Sequence, residues 1–391
     1  MTSIDLADPA LYTDDRPEQA WRALRQARKP VRAPGYWLMT RYADVVEVYQ
    51  NGPSFSSEKG MQLGLDRSAA EVAAEAAAGK MLIVTDDPRH AEVRRAMGAA
   101  FTPKMVRQLA DRTASIARRL VTTAATGETI DFVQSVAARL PATVICDVIG
   151  VPDGERDHVA TLTQTAFGAA GDDAQVIAHA ELFDYCDTLV TRKREHPADD
   201  VASALAHAVV RGEPMSHEVA VLNCHGLISG GNETTRHASS TAALTLCRSP
   251  EQWAMVRDGR VRVEDATEEV LRYASPANHV LRSAVRDQDI GGLTVRAGEY
   301  VTLWLGSANR DETVFADPDE VRFGRTPNKH LAFGLGGHFC LGAFLARLEL
   351  TSLVRALAEL VRMAELRGTP ERLASNVLRG YTSLPLALTP R

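Results

Sequence analysis

The residues best suited to chemistry stand in a glycine-rich loop around Cys340. The run from Phe333 to Gly342 reads FGLGGHFCLG and precedes an apolar segment with helical spacing. A sulfur at the start of a helix lies near the positive end of the helix dipole and near free backbone N–H groups, so its thiolate is favoured. This setting predicts a metal-binding thiolate at Cys340. Glycines at 334, 336 and 342 would let a flat macrocycle approach the backbone.

Two nucleotide-binding interpretations of this loop fail. Counted from Gly334, a GxGxxG dinucleotide loop would need glycine where Phe339 stands, and a phosphate-binding loop would need a Gly-Lys-Ser/Thr run that is absent. A small buried cysteine beside a helix start, with no chemical role, is the alternative that applies to any single cysteine. Other motifs must decide between these two.

A second candidate is the run from Gly230 to Thr235, GGNETT, inside a long segment of helical pattern. Each glycine costs the interior of a helix about 1 kcal/mol relative to alanine, so a purely structural helix rarely uses two. One interpretation is a packing kink where another element crosses. The other is a local opening of the hydrogen-bond ladder, which leaves room for a ligand and water beside a hydroxyl and a carboxylate.

Together these two motifs resemble those of the cytochrome P450 family. FGLGGHFCLG matches the family's FxxGxxxCxG cysteine-loop signature position for position, and GGNETT is similar to its (A/G)Gx(D/E)T motif. The resemblance implies a haem b (iron protoporphyrin IX) whose iron is bound by the Cys340 thiolate, which favours O–O cleavage. It also implies haem contacts at Phe333, Gly334 and His338, the last of these at a haem propionate.

The same resemblance assigns roles to the acid and the alcohol. It implies that Thr234 hydrogen-bonds the O2 under activation, while Glu233 relays protons from solvent. Cleaving the O–O bond needs a controlled delivery of protons, which an alcohol can orient without being consumed. O2 and a small organic substrate are the reactants that the family implies.

Further residues match the family by position. Buried haem propionates need cationic partners, and the family also uses a buried ion network to hold the cysteine loop. The matching residues are His90, Arg94 and Arg282 for the propionates, and Glu269, Arg272 and Arg325 for the structural network.

The frame that must hold these residues is predicted to be mainly α-helical with a minor β part. The segment Ser216–Arg248 predicts one helix of about 33 residues, near 50 Å long at about 1.5 Å per residue. By the resemblance, residues 1–391 form a single cytochrome P450 domain, with the haem between this long central helix and the helix after the cysteine loop. Its strand-rich part is predicted at about 30–60 and 278–305, with a hairpin at 293–305.

Shorter patterns complete the frame. The stretch from Gly60 to Met81 is Ala-rich and predicts either a surface helix or a lid. The other predicted helices are Tyr42–Gln50, Ala91–Phe101, Lys104–Thr126, Ile130–Val148, Ala174–Arg194 and Leu341–Met363, and the predicted strands include Tyr36–Thr40 and part of Leu378–Leu388.

The composition excludes several classes of protein. With 391 residues, a net charge of −6 and 45% hydrophobic residues, the chain has an ample core and no basic excess to neutralise nucleic-acid phosphates. Five single cysteines argue against a disulfide framework or structural zinc. Because residues 1–15 hold no apolar run and no stretch approaches the roughly 20 apolar residues of a membrane span, we expect a soluble, cytoplasmic protein without membrane contact.

Substrate contacts are expected from the segments that surround the haem in this family. Asn278 and His279 are polar, which favours a substrate with polar handles over a hydrocarbon or a steroid. We therefore expect a secondary metabolite, either free or bound to a carrier protein. The candidate contacts are Leu82, Leu227, Ile228, Gly231, Asn278, His279 and Tyr381.

Electrons are expected from separate proteins, a ferredoxin and its reductase, because the chain has no clustered cysteines for an iron–sulfur domain. Arg322, Arg325 and Arg347 are candidates for a surface that docks an acidic partner. The predicted reaction is hydroxylation or epoxidation. Two alternatives stay open: a peroxide-driven haem peroxygenase, which the pair Glu233-Thr234 disfavours, and a non-catalytic protein that binds haem or a small molecule.

Overall fold

Helices dominate the computed structural model, which describes residues 5–14, 16–63, 76–98, 101, 103–167 and 172–391. The mainly α class with a minor β part is confirmed. In chain order the α-helices of the described residues are Arg16–Gln26 (α1), Tyr42–Gln50 (α2), Arg89–Gly98 (α3), Pro103–Ala124 (α4), Arg139–Ile149 (α5), Arg156–Phe167 (α6), Asp172–Glu195 (α7), Val201–Ala206 (α8), His217–Arg248 (α9), Pro250–Arg257 (α10), Val263–Ala274 (α11), Leu305–Ala308 (α12) and Ala343–Leu360 (α13).

Short strands form one five-stranded sheet and smaller sheets around it. The five-stranded sheet has the order β1-β2-β10-β7-β3, and a three-stranded sheet has the order β11-β14-β4. The strands are Val31–Ala33 (β1), Tyr36–Met39 (β2), Phe55–Ser56 (β3), Thr129–Asp131 (β4), Val209–Val210 (β5), Glu213–Pro214 (β6), His279–Ala284 (β7), Gln288–Ile290 (β8), Leu293–Val295 (β9), Tyr300–Trp304 (β10), Val361–Leu366 (β11), Glu371–Arg372 (β12), Tyr381–Ser383 (β13) and Pro385–Pro390 (β14).

The central helix α9 carries the predicted acid and alcohol. It runs unbroken for 32 residues, about 48 Å, as its sequence pattern predicts. The Ser216 hydroxyl accepts a hydrogen bond from the Val219 N–H (3.3 Å) and caps its first turn. Helices α5, α7 and α13 pack against its sides, so its position relative to them is defined. Within the described residues, neither α9 nor another helix combines the length and the apolar character that a membrane crossing needs.

Two predictions about local structure are wrong. The segment 293–305 is not a hairpin, because β9 pairs with β8 whereas β10 pairs with β2 and β7. Gly291 and Gly292, both with positive φ, supply the turn of the β8–β9 hairpin instead. The segment 130–148 is not one helix, because it starts as β4 at the edge of a sheet and passes through a π-helical turn, Val133–Ala137, before α5. In both cases a partner strand from elsewhere in the chain overrides the local pattern.

The predicted lid is partly outside the described residues, which omit 64–75. The portion after it ends in a short 3-10 helix, Leu82–Val84, and is attached to α9. The Leu82 N–H donates to Asn223 Oδ1 (2.9 Å), and Asn223 Nδ2 donates to the Lys80 carbonyl (2.8 Å). One buried side chain of the long helix therefore holds two backbone groups of this segment.

Candidate functional site

The cysteine loop, residues 333–342, folds back on itself before α13 begins. The Cys340 N–H donates to the Phe333 carbonyl at 2.9 Å. Gly334 and Gly336 adopt φ angles of 69° and 73°, which residues with side chains rarely adopt. These glycines are required by the turn, and the turn brings Cys340 to the start of α13, as the sequence predicts.

The Cys340 side chain is accessible although the protein surrounds it closely. Burial raises the pKa of the thiol, and this effect outweighs the Gly342 backbone N–H and the Arg94 and Arg347 guanidinium groups, which lower it. The expectation that the helix start lowers this pKa is therefore not met, because removal from bulk water has the larger effect. Bonding to a metal cation would deprotonate such a thiol outright.

Side chains from three separate elements meet beside the cysteine loop. His90 and Arg94 come from α3, Arg282 from β7 and His338 from the loop itself. The His90 and His338 rings lie 4.1 Å apart between centroids, and Arg94 Nη2 donates to the Phe339 carbonyl at 2.6 Å. Burial and the nearby Arg282 lower the pKa of His338 to about 3. The four residues predicted to bind propionates thus surround one place.

This cluster is suited to bind a further anion, although the exposed Asp87 carboxylate already lies 3.4 Å from His90 Nδ1. The buried Arg282 guanidinium donates to the Leu281 carbonyl (2.7 Å), and no carboxylate of the described residues forms an ion pair with it. His90 Nε2 is buried without a hydrogen-bond partner in the described structure. Burial lowers the pKa of Arg282, since a buried cation without a counter-charge is costly. Two carboxylates would satisfy these donors, so the residues present fit the propionates of a haem.

Two residues at this site belong to no motif, and sequence reasoning missed them. The Tyr49 hydroxyl would lie 3.1 Å from a Cβ on Gly334, and burial raises the pKa of Tyr49. Ser57 Oγ lies 3.2 Å from His338 Nε2. Both residues are far from the cysteine loop in sequence, so no spacing rule could have found them.

Space beside the alcohol is left by Gly230 and not by a break in the helix. Gly230 is exposed in the middle of α9, and a Cβ there would meet nothing within 4 Å. Thr234 Oγ1 donates to the Gly230 carbonyl (3.0 Å), a bond that tends to bend helices. Gly231 faces another way, since its Cβ would lie 2.8 Å from Ile145 Cδ1 on α5. The predicted substrate contact at Gly231 is therefore a contact between helices, and the open position is at Gly230.

The acid beside the alcohol is buried. Glu233 is 2% exposed, and burial raises the pKa of its carboxyl to about 7 despite the lowering effect of Arg236. A carboxyl that titrates near neutrality can both take up and release a proton under physiological conditions. The environment of Glu233 is therefore suited to proton transfer.

Glu269 and Arg272 form a buried ion network with residues just upstream of the cysteine loop. Arg272 donates from Nε and Nη2 to the two Glu269 oxygens, each at 2.8 Å, and both residues are 0% exposed. Arg325 Nε lies 3.1 Å from both oxygens, and Asn328 Nδ2 (3.1 Å) and the Arg322 N–H (2.9 Å) donate to them as well. The network ties the approach to the cysteine loop to α11, which is the geometry a structural role requires.

The residues predicted to contact substrate do not form one group. Leu82 and Leu227 are half-buried, whereas Ile228 is buried in the helical core. Tyr381 is also buried, with the Arg372 guanidinium 5.6 Å from its ring centroid. Only the first two of these four offer partly accessible apolar surface.

Asn278 and His279 differ most from the prediction. His279 Nδ1 hydrogen-bonds with the Asn376 carbonyl (2.9 Å), and its Nε2 accepts from the Leu63 N–H (2.9 Å). Asn278 Nδ2 donates to the same Asn376 carbonyl at 2.8 Å. Both side chains are buried and bonded to backbone near the large sheet, so the inference of a polar substrate from these two residues loses its basis.

The three arginines predicted to dock an acidic partner are engaged elsewhere. Arg325 belongs to the ion network, with a side chain 7% exposed. Arg347 donates to both oxygens of Glu268 (2.7 and 2.9 Å), and Arg322 pairs with Glu320 at 3.1 Å. Their charges are therefore compensated within the chain, and this part of the prediction has no support in the structure.

Comparison with known proteins defines the family. The cytochrome P450 family model matches residues 171–363. Cytochrome P450 NovI of Streptomyces niveus is 35% identical over 400 residues, which cover 100% of this chain and 97% of NovI. Linalool 8-monooxygenase of Pseudomonas putida is 31% identical over 408 residues, with 100% of both chains covered. The structure of P450 OxyD, involved in the biosynthesis of vancomycin-type antibiotics, matches with a TM-score of 0.92 at 34% identity and covers 100% of both chains.

The chain belongs to the cytochrome P450 family. It is a cytochrome P450 monooxygenase, an oxidoreductase that uses haem b and O2, as the resemblance predicted. The roles of individual residues stay predictions, as does the extent of the single domain over residues 1–391.

Proposed function

We propose that this monooxygenase takes electrons from a separate ferredoxin and its reductase and hydroxylates or epoxidises a secondary metabolite. The observation that carries the proposal is the exposed Cys340 before the start of α13, beside a cluster in which, among the described residues, Arg282 has no ion-pair partner and His90 Nε2 has no hydrogen-bond partner. The role of P450 OxyD in antibiotic biosynthesis supports a secondary metabolite. Whether the substrate is free or bound to a carrier protein is left to experiment.

The haem would be held by five side chains. Cys340 would bind the iron, and His90, Arg94, Arg282 and His338 would hold the propionates. Haem bound through a thiolate supplies the O–O cleavage, because the sulfur pushes electron density toward the iron. The Arg94 and Arg282 guanidinium groups would neutralise the propionates through charge-assisted hydrogen bonds, and the uncharged His90 and His338 rings would add hydrogen bonds.

Thr234 would orient protons that Glu233 delivers. The Thr234 hydroxyl donates to the Gly230 carbonyl, which leaves its oxygen free to accept a hydrogen bond on the open side of α9. The missing side chain at Gly230 leaves room for small molecules there. Glu233, with a pKa of about 7, can be reloaded with protons in each cycle. An acid and an alcohol so placed favour use of O2 over use of peroxide.

A surface beside the cysteine loop suits the electron donor better than the three arginines first considered. Arg95 on α3 is exposed, without an ion-pair partner among the described residues, and borders a hollow shared with Gly337 and Leu341. Phe344, near the start of α13, is 54% exposed. An exposed cation on α3 and an exposed apolar ring on α13 match an acidic partner that buries a small contact area.

Carbon monoxide tests the iron ligand. The reduced protein should show the red-shifted Soret band typical of thiolate-bound haem, and Cys340→Ser should lose it. Cys247→Ser is the matched control, because Cys247 is a half-buried cysteine on α9 that bonds only to the Ala243 carbonyl (3.7 Å). An unchanged spectrum in Cys340→Ser would refute the proposal.

Turnover separates the remaining functions. Candidate substrates are first screened by the spectral shift that follows displacement of iron-bound water. With ferredoxin, reductase and NADH, a matching substrate should then yield product in proportion to the NADH consumed. Equal product from hydrogen peroxide alone would favour the peroxygenase, and haem binding without any turnover would favour the non-catalytic alternative.

A further inference from the structure

A buried charge cluster lies beside the acid and the alcohol. It consists of Glu233, Arg236 and His237 on α9, which are 2%, 4% and 0% exposed. A guanidinium nitrogen of Arg236 lies 2.5 Å from a Glu233 carboxylate oxygen, and His237 Nε2 lies 3.9 Å from the same oxygen. An acid, a permanent cation and an imidazole thus stand together in the interior, adjacent to Thr234.

Packing alone does not explain these residue types. Apolar side chains of similar volume often stabilise a protein as well as a buried ion pair does. Here the two charged groups are close but poorly aligned. In the described structure, neither Glu233 carboxylate oxygen makes a hydrogen bond of normal geometry, and neither do Nε and Nη2 of Arg236. Both His237 nitrogens are also without partners. A cluster with a purely structural role would have satisfied these atoms.

Helix geometry places Glu233 one turn from the open position at Gly230. Side chains on a helix lean toward its N-terminus, so residue 233 lies over the turn that contains residue 230. Gly230 faces open space, and its carbonyl already binds the Thr234 hydroxyl. Arg236 lies one turn in the opposite direction. Glu233 therefore lies along α9 between Arg236, which its carboxylate contacts, and the turn that carries the open position.

We propose that Arg236 is a positioning residue for proton delivery: its guanidinium fixes the orientation of the Glu233 carboxylate, which takes up a proton from solvent and passes that proton to the open position beside Thr234. This rests on the proposed monooxygenase function. His237 supplies rigid support, because a Cβ on Gly380 would lie 2.0 Å from its Nδ1, so the chain before β13 is pressed against the ring. Burial lowers the pKa of His237 well below its ordinary value, so the ring is neutral and does not compete with Arg236.

Few groups set the charge of Glu233. Burial raises the pKa of its carboxyl and Arg236 lowers it. Burial also raises the pKa of Glu349 well above its ordinary value. Other titratable groups lie on the elements packed against α9. Asp147 on α5 pairs with Arg112 and Arg156, and Tyr185 on α7 donates to Glu155. On α11, Glu268 pairs with Arg347 and Glu269 pairs with Arg272, and β13 carries Tyr381. Without Arg236, Glu233 should therefore be protonated at neutral pH.

Coupling of NADH to product is the first measurement. Holoenzyme carrying Arg236→Gln should load haem normally, yet its product per NADH should fall about tenfold, with peroxide released instead, because an acid–base group contributes about 10²–10⁴-fold and here the acid itself remains. Glu233→Gln should show a similar or larger loss, and Arg236→Lys should recover most of it. Arg156→Gln is the matched control, because Arg156 also pairs with a buried carboxylate, that of Asp147, and should keep wild-type coupling.

Infrared spectroscopy supplies a readout that does not depend on turnover. At neutral pH the wild type has Glu233 partly protonated, so ferric Arg236→Gln should show a stronger carbonyl stretch of a protonated carboxyl than the wild type, and the double variant Arg236→Gln/Glu233→Gln should lack that band. If Arg236→Gln does not load haem, the infrared spectrum of Arg236→Lys is compared with that of Arg236→Lys/Glu233→Gln. The carboxyl band of Arg236→Lys should be weaker than the band expected for Arg236→Gln. Wild-type coupling in Arg236→Gln, or a carboxyl band no stronger than that of the wild type, would overturn the proposal. If the wild type forms no product, the monooxygenase proposal fails, while the infrared result still decides whether Arg236 controls Glu233.

Discussion

Replacement of Glu269 by glutamine tests how the approach to the cysteine loop is held. The Glu269 carboxylate accepts six hydrogen bonds: two each from Arg272 and Arg325, and one each from Asn328 and the Arg322 N–H. Glutamine keeps the shape but removes the charge, and it turns one acceptor into a donor that faces arginines. Two buried guanidinium groups then lose their counter-charge.

The expected cost is large because burial leaves no water to replace the lost partner. Removing one member of a buried ion pair costs about 3–5 kcal/mol. Charged hydrogen bonds contribute about 1.5–3 kcal/mol each, but bonds that share one carboxylate are not additive, so the pair value is the better guide. We expect Glu269→Gln to lower the free energy of unfolding by about 3–5 kcal/mol, a large share of the roughly 5–15 kcal/mol of an ordinary domain.

The neighbouring Glu268 provides the matched control. Its side chain is 30% exposed, and its partner Arg347 is 33% exposed. Glu268→Gln should cost less than Glu269→Gln, because water can replace the contact with Arg347 although the buried His330, 3.1 Å from Glu268, also loses a charged partner. Urea denaturation followed by circular dichroism measures both variants, and the carbon monoxide spectrum measures their haem content. A loss in Glu269→Gln no greater than that in Glu268→Gln would refute the reasoning.

Three other outcomes follow from the structure. Folding raises the pKa of the Glu233 carboxyl from 4.5 to about 7, so the stability that this group contributes is present below pH 4.5 and is lost as the pH rises through 7. Urea titrations should show that the free energy of unfolding of the wild type falls by a few kcal/mol relative to that of Glu233→Gln across this window. A difference between the two proteins that does not change with pH would contradict this. Gly380→Ala should lower the free energy of unfolding by about 1–3 kcal/mol, because its Cβ would meet His237, whereas Gly154→Ala, with nothing within 4 Å, should be neutral in the same denaturation assay. Arg282→Leu should release haem faster to a haem-accepting protein, and an unchanged rate would argue against the propionate role.

Much of the frame follows from local patterns. The helix Tyr42–Gln50 has the predicted bounds, and α9 begins one residue after the predicted start because Ser216 is its cap. These elements were predictable because helical spacing and capping are local properties of the chain. The predicted helix at 130–148 and hairpin at 293–305 failed because a strand needs a distant partner, and the chain offers several.

The sequence by itself determined which residues could do chemistry: a cysteine in a turn that only glycines permit, an acid beside an alcohol, and cations at matching positions. Tertiary structure alone decided what each of them meets. It turned Gly230 toward open space and Gly231 toward Ile145, and it gave His279 backbone partners. It also raised the pKa of Cys340, where the helix start alone predicts a lower one. Desolvation and contact depend on neighbours that arrive from distant parts of the chain, and no local pattern records them.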